Sequence, residues 1–131
     1  MSLTNDKKVI ATAAIIGVTG IALGAFGAHG LKQLIAPESV LVFETGVRYQ
    51  IYHALFLLFV GSTALVTEKA KKTILFLTVA GVILFSVSIY FLACNALFSF
   101  DFKKIGFITP IGGLLLITAW IALFLNIIKR K

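Results

Sequence analysis

Residues 9–31 read VIATAAIIGVTGIALGAFGAHGL and contain no Asp, Glu, Lys or Arg. Three further runs also lack these charged residues, namely residues 49–67, 73–100 and 105–128. An α-helix needs about 20 apolar residues to cross a hydrocarbon core that is roughly 30 Å thick. The runs therefore predict an all-α, polytopic membrane protein, a four-transmembrane-helix bundle with spans over about 9–30, 48–66, 73–95 and 110–128.

The composition agrees with a chain whose solvent is lipid. Apolar residues make up 60% of the 131 residues and charged residues 13%, whereas an average soluble domain has roughly 45–50% and about 25%. A closed β-barrel is disfavoured because its strands alternate apolar and polar residues over about ten positions. The length predicts a single membrane domain over residues 1–131.

The segment between the first two spans predicts a short helix of its own. Pro37 suits the first position of a helix, and Glu38 is favourable in the first turn. One helix from Pro37 to Val66 would be about 45 Å long, which exceeds the hydrocarbon core. We therefore expect an interfacial helix over 37–46, a bend near Gly46, and then the second span.

The distribution of basic residues predicts the orientation. Lys and Arg are enriched in the cytoplasmic loops of membrane proteins. Eight of the 12 basic residues fall on the side of the two termini and the second loop: Lys7, Lys8, Lys69, Lys71, Lys72, Lys129, Arg130 and Lys131. Four fall on the other side: Lys32, Arg48, Lys103 and Lys104. The bias predicts that both termini are cytoplasmic, in a bacterial inner (plasma) membrane.

Polar side chains gather near the outer ends of the first two spans. Glu44 and Arg48 are four residues apart and can pair on one helix face. Ionisable groups at membrane depth usually face the bundle interior and are functional candidates. The alternative is a structural network that joins the first two helices. We expect the members of this outer cluster to converge: His29, Glu44, Arg48, Tyr49, Gln50 and His53.

Small and hydroxyl-bearing residues predict close helix packing. Glycines at spacings of three and four share a face of the first helix, and such faces let helix backbones approach in lipid. They could pack within the chain or mediate homo-oligomerisation. Thr109 is predicted as an N-cap, with Pro110 as the first helical residue. The packing candidates are Gly17, Gly20, Gly24, Gly27, Ser86, Ser88, Tyr90, Thr109, Pro110, Gly112 and Gly113.

Four motifs occur in order along nearly the whole chain: Gly24-Ala25-Phe26-Gly27-Ala28-His29, Phe43-x-Thr45-Gly46-x-x-Tyr49-Gln50-x-x-His53, Phe85-Ser86-x-Ser88-x-Tyr90 and Thr109-Pro110-Ile111-Gly112-Gly113. The chain resembles the YgdD-type family of small bacterial membrane proteins, which has relatives in animal mitochondria. The resemblance implies a four-helix inner-membrane protein of unknown function without established catalytic residues. This chain has Val87 and Ala119 where the family usually has glycine. The difference implies looser helix packing at those two positions.

The motifs of common catalytic sites do not occur in the sequence. It lacks a GxxxxGK[ST] phosphate loop, an HExxH zinc motif and a GxSxG nucleophile elbow. Two separate histidines are weak evidence for haem or another metal, so we expect neither metal nor cofactor. The net charge of +7 lies in short flanking loops. The expected partner is therefore the lipid bilayer rather than nucleic acid.

Three functions of different kinds remain open. The first is a non-catalytic accessory or scaffold protein, within a homo-oligomer or a larger membrane complex. The second is a small, oligomeric transporter or channel whose outward-facing cavity is lined by the outer cluster. The third is a lipid-headgroup binder or enzyme that uses the same cluster with Lys103 and Lys104. We prefer the first, because every polar residue can then have a structural role.

Overall fold

The computed structural model describes residues 4–129, and these residues contain no β-strand. The all-α prediction is therefore confirmed for the described chain. A π-helical turn over Ile83–Val87 joins two of the helices into one long stretch. The helices are α1 (Asn5–Ala28), α2 (Pro37–Ser62), α3 (Glu68–Val82), α4 (Ser88–Ala93) and α5 (Ile108–Lys129).

Three helical stretches within the described residues are long and apolar enough to cross a membrane: Asn5–Gln33, Glu68–Ala93 and Ile108–Lys129. The predicted second span is not among them, although α2 has 26 residues. The reason is that Arg48, Gln50 and His53 are costly in a hydrocarbon environment and lower the mean hydropathy of α2.

The helix α2 runs without interruption from Pro37 to Ser62. The prediction of a separate helix over 37–46 is therefore wrong, and the bend near Gly46 stays a prediction. Gly46 is a position of close packing inside the helix, because it is buried and a Cβ atom there would lie 2.6 Å from Tyr90 Cε1. Its carbonyl also accepts a 2.7 Å hydrogen bond from Ser86 Oγ. The helix also ends before Val66, which limits its length to about 39 Å at 1.5 Å per residue.

The glycine face of α1 packs against α2. A Cβ atom at Gly20 would lie 2.7 Å from Ile51 Cδ1, and one at Gly27 would lie 2.9 Å from Phe43 Cδ1. Gly17 and Gly24 face the same helix, opposite Ala54 and Val47. Since residue numbers rise along α1 while those of their partners fall, the two helices are antiparallel. The glycines thus serve packing within the chain.

The helix α5 approaches the backbone of the π-helical turn. A Cβ atom at Gly112 would lie 2.4 Å from the backbone nitrogen of Phe85, a distance that no side chain can occupy. Thr109 is the second residue of α5, which begins at Ile108. The predicted N-cap role of Thr109 is therefore wrong, because its hydroxyl is instead within 2.6 Å of Ser88 Oγ.

The connection between α4 and α5 is closed by side-chain hydrogen bonds. Asn95 Oδ1 accepts from the Phe102 amide at 2.7 Å, and Asp101 Oδ1 accepts from Asn95 Nδ2 and from the Lys103 amide. The Lys103 amide is the main cause that lowers the pKa of the Asp101 carboxyl, followed by the Asn95 side chain. The hydrogen bonds position an aromatic group that includes Phe91, where Phe91 and Phe102 stack with centroids 4.9 Å apart.

Neighbouring glycines on α5 allow a matched test of the close approach. We expect Gly112→Ala to lower stability by about 1–3 kcal/mol, because overpacking forces backbone shifts. Gly113→Ala places its Cβ 3.5 Å from Phe85 Cδ1, an ordinary contact, and should be neutral or stabilising, since alanine favours a helix over glycine. Thermal unfolding in detergent measures both. Equal effects of the two substitutions would contradict the close packing.

Candidate functional site: the polar network of α2

Gln50 connects three helical segments in the interior. Its side chain is 5% exposed. The amide nitrogen donates to the Ile16 carbonyl at 3.1 Å and to Thr19 Oγ1 at 2.8 Å, both on α1. Its oxygen accepts a 2.6 Å hydrogen bond from the Tyr90 hydroxyl on α4. Because a carbonyl only accepts, the contact with Ile16 fixes which end of the amide faces α1.

His53 makes the corresponding connection to α5. It is 4% exposed, and Nε2 lies 3.1 Å from Trp120 Nε1. An indole nitrogen only donates, so Nε2 must accept. Nδ1 lies 2.7 Å from the Tyr49 carbonyl and must therefore donate. These two contacts specify a neutral imidazole with its proton on Nδ1, and they occupy both ring nitrogens.

Two serines fix the π-helical turn between its neighbours. Ser86 donates to the Gly46 carbonyl of α2. Ser88 Oγ lies 2.6 Å from the Leu84 carbonyl and 2.6 Å from Thr109 Oγ1. A serine has one hydroxyl proton, so if Ser88 donates to the carbonyl, Thr109 donates to Ser88. Turns of this kind frequently occur at functional sites, and here the turn lies between α2 and α5.

One buried polar side chain in the described residues lacks a partner. The Thr78 hydroxyl on α3 is fully buried and makes no hydrogen bond. Thr78 differs in this respect from Gln50 and His53, whose buried polar atoms are hydrogen-bonded. No group of three His, Cys, Asp or Glu side chains among residues 4–129 has the arrangement of a metal site.

The structure separates the members of the predicted outer cluster. His29, Glu44 and Arg48 are exposed, whereas Gln50 and His53 are buried. Gly27 faces Phe43, and His53 follows Phe43 by ten residues, which is about 15 Å along the axis of α2. The histidines therefore lie at different depths. Glu44 and Arg48 form no ion pair within 4 Å, since Lys71 and Asp6 are the pair found in the described chain.

The sixth member of the predicted cluster, Tyr49, contributes its ring to aromatic packing rather than its hydroxyl to the hydrogen-bond network. Its ring is 41% exposed and lies with its centroid 5.1 Å from that of Phe85 and 5.5 Å from that of Tyr52. Its backbone carbonyl, not its hydroxyl, takes part in the polar network, through His53.

Sequence reasoning missed two partners, Thr19 and Trp120. Thr19 has the appearance of an ordinary helical threonine, and it does bond back to the Ile15 carbonyl at 2.9 Å. Trp120 lies at mid-helix, away from the ends where tryptophans usually mark an interface. This position in the middle of the helix could have predicted a buried hydrogen-bond acceptor nearby, because the N–H group of a tryptophan in an apolar environment usually has a partner.

An open apolar groove of about 500 Å³ lies beside this network, between α1 and the helical stretch that contains the π-helical turn. Thr19, Gln50 and Tyr90 line it, but their polar atoms bond to one another. The walls are aliphatic or aromatic: Ile16, Leu23, Val79, Ile83, Val87 and Phe91. We refer to these six residues as the apolar groove. It suits a hydrocarbon occupant.

Tyr90→Phe tests the network against a matched control. It removes the donor to Gln50 and should lower stability by about 1 kcal/mol, the range found for hydrogen bonds within membrane proteins. Tyr52→Phe changes a tyrosine that is 51% exposed and has no hydrogen bond from its hydroxyl among the described residues. It should leave unfolding in detergent unchanged. A Tyr90→Phe variant as stable as the wild type would show that the bond contributes nothing.

Comparison with known proteins places the chain in a family. Residues 23–113 match the model described as "Protein of unknown function (DUF423)". The chain is 36% identical over 123 residues to UPF0382 membrane protein SH2409 of Staphylococcus haemolyticus, which covers 94% of this chain and 97% of that protein. It is 38% identical over 125 residues to UPF0382 membrane protein YwdK of Bacillus subtilis, which covers 94% and 98% respectively.

A third relative, a UPF0382 membrane protein of Haemophilus influenzae, is 36% identical over 125 residues, with 95% of this chain and 97% of that protein covered. No solved structure matches the chain. The matches confirm the resemblance drawn from the four ordered motifs, to small bacterial membrane proteins of unknown function. The chain belongs to the DUF423 family, whose bacterial relatives are named UPF0382 membrane proteins.

Proposed function

We propose that this protein is a non-catalytic accessory protein of the bacterial plasma membrane. The observation that carries the proposal is that Gln50 and His53 are each fully hydrogen-bonded to other residues of the chain. A general base needs a nitrogen within reach of its substrate, whereas both nitrogens of His53 are occupied by Tyr49 and Trp120. The buried polar groups of α2 hold helices together, which is the role expected of a structural network.

We further propose four membrane crossings. The helix α2 packs antiparallel to α1 from the level of Gly17 to that of Gly27, and α1 lies in a candidate span. Two helices in contact over this length occupy the same depth. The polar side chains that lower the hydropathy of α2 do not oppose a crossing, since Gln50 and His53 are hydrogen-bonded in the interior and avoid the cost of an unpaired group in lipid.

The orientation in this proposal rests on the bias of basic residues. Four crossings return the chain to the side on which it began, and that side has the greater number of Lys and Arg. Arg130 and Lys131, which contribute to the bias, lie outside the described residues. The names of the bacterial relatives as membrane proteins agree with a bilayer location.

An accessory role needs a surface for another protein. The glycine face of α1 is used within the chain, so an assembly would use a different face. The outer side of α5 is a candidate, with Leu114 63% and Phe124 61% exposed. A partner helix would pack there through van der Waals contacts, as helices do in lipid.

The transporter alternative has less support. It required a cavity shared by the outer cluster, yet His29, Glu44 and Arg48 are exposed and His53 lies about 15 Å deeper. The polar side chains that line the apolar groove are already hydrogen-bonded and offer a transported ion no free group. Gln50, Thr19 and Tyr90 bond to one another, and the Thr12 hydroxyl donates to the Lys8 carbonyl.

Single cysteines test the number of crossings. In a Cys94→Ser background, Ser39→Cys lies in the first turn of α2, and Lys69→Cys lies in the first turn of α3, beyond the other end of α2. We expect an impermeant maleimide to label Ser39→Cys in intact cells, and Lys69→Cys after permeabilisation alone. Thr4→Cys, at the start of α1, is the matched control for the inner side. Labelling of Ser39→Cys and Lys69→Cys from the same side would show that α2 does not cross.

Native mass spectrometry after gentle extraction tests the accessory role. We expect a stoichiometric assembly, either of this chain with itself or with a larger complex. The assembly should dissociate when Leu114→Arg is introduced on the outer side of α5, and it should persist with Ile21→Arg on the outer side of α1, which is 70% exposed. A bare monomer under the mildest extraction would overturn the accessory role.

A further inference from the structure

A second groove lies next to the apolar groove. It has a volume of about 410 Å³ and is formed where α1 and α3 begin. Asn5 lines it, together with two lysines and a hydrophobic wall, six further residues in all: Lys8, Val9, Lys72, Leu75, Phe76 and Val79. We refer to these six residues as the basic groove. Val79 lines both grooves.

The two grooves form one channel along the surface between parallel helices. Lys8, Thr12 and Ile16 follow one another at intervals of four residues on α1. Lys72, Leu75 and Val79 follow one another on one face of α3. Residues at such intervals share a helix face. From Lys8 to Leu23 the channel extends about 22 Å at 1.5 Å per residue, more than the roughly 15 Å of hydrocarbon in one leaflet.

The basic end of this channel keeps its positive charge. Asp6 is the nearest acidic residue on α1, and its carboxylate accepts a 2.6 Å hydrogen bond from Lys71 Nζ. Lys71 is 2% exposed, so this pair is partly buried and fixed. Within residues 4–129 it is the one ion pair found within 4 Å. Lys8 and Lys72 are exposed and remain available to an anion.

We propose that the basic and apolar grooves together bind one phospholipid with a net negative headgroup. Lys8 and Lys72 would contact the phosphate, because basic pockets between membrane helices attract anionic headgroups. An acyl chain would then lie along Val79, Ile83 and Val87. The acyl chain is already surrounded by hydrocarbon in a bilayer, so it gains packing contacts in the groove rather than removal from water. The charge at one end and the apolar length at the other select a lipid over a free anion.

The binding experiment uses the full chain in detergent and two lipids that differ in the headgroup alone. Dioleoyl phosphatidylglycerol should bind with a stoichiometry of one by native mass spectrometry, and dioleoyl phosphatidylcholine should bind much more weakly. Lys8→Gln with Lys72→Gln should weaken phosphatidylglycerol binding about 25-fold, the product of about fivefold for each lysine. Inorganic phosphate in excess should not displace the lipid, and displacement would show a phosphate site instead.

A second pair of lysines supplies the matched control. Lys69 and Lys129 line a different groove, between α3 and α5, at the same end of the molecule. Lys69→Gln with Lys129→Gln removes the same charge and should retain binding. Equal weakening by the two double variants would overturn the proposal, because it would show attraction to overall charge. Equal affinity for the two lipids would overturn it as well.

A third variant tests the hydrocarbon part without a change of charge. Val79→Trp fills the junction between the grooves and should abolish phosphatidylglycerol binding. Ile117→Trp, at a position that is 56% exposed on α5, is the control and should bind normally. Thermal unfolding shows whether each variant is folded. A folded Val79→Trp protein that binds lipid like the wild type would refute an acyl chain in this channel.

Discussion

The arrangement of the helices depends on two polar side chains of α2 that must be paired in an apolar interior. Gln50 bonds to α1 through Ile16 and Thr19 and to α4 through Tyr90. His53 bonds to α5 through Trp120. An unpaired polar group in such an environment costs several kcal/mol, so these bonds restrict how the helices can rotate or slide. The helix α2 therefore fixes the positions of α1, α4 and α5 relative to itself.

Glycines allow the helices to reach those hydrogen-bond distances. Gly20 lets α1 approach Ile51 on the turn next to Gln50, and Gly46 lets α2 approach the ring of Tyr90. Gly112 lets α5 approach the backbone of the π-helical turn at Phe85. Side-chain bonds and close backbone packing therefore act together. Both effects are stronger in lipid, where apolar surface gives little preference for one helix neighbour over another.

Much of the fold follows from the sequence, because helix formation in lipid is a local property. The charge-free runs predicted the four long helical stretches, and the glycine spacing identified a packing face of the first. The sequence could not distinguish the exposed polar residues of α2 from the buried ones. Glu44, Arg48, Gln50 and His53 lie within ten residues. Whether each is exposed or buried depends on which face of α2 contacts Thr19, Tyr90 and Trp120. These contacts join distant parts of the chain. The close packing at Gly46 likewise involves Ser86 and Tyr90, which are distant in the sequence.

The protonation pattern of His53 tests this account most directly. Solid-state ¹⁵N NMR of the protein in bilayers at neutral pH resolves the two ring nitrogens, and a His29→Gln background leaves His53 as the one histidine. We predict a neutral ring with the proton on Nδ1. Trp120→Phe removes the donor to Nε2 and should shift the Nε2 resonance, while the Tyr49 carbonyl keeps the proton on Nδ1. A proton on Nε2, or a doubly protonated ring, would contradict the pairing of α2 with α5 and would reopen a chemical role for His53.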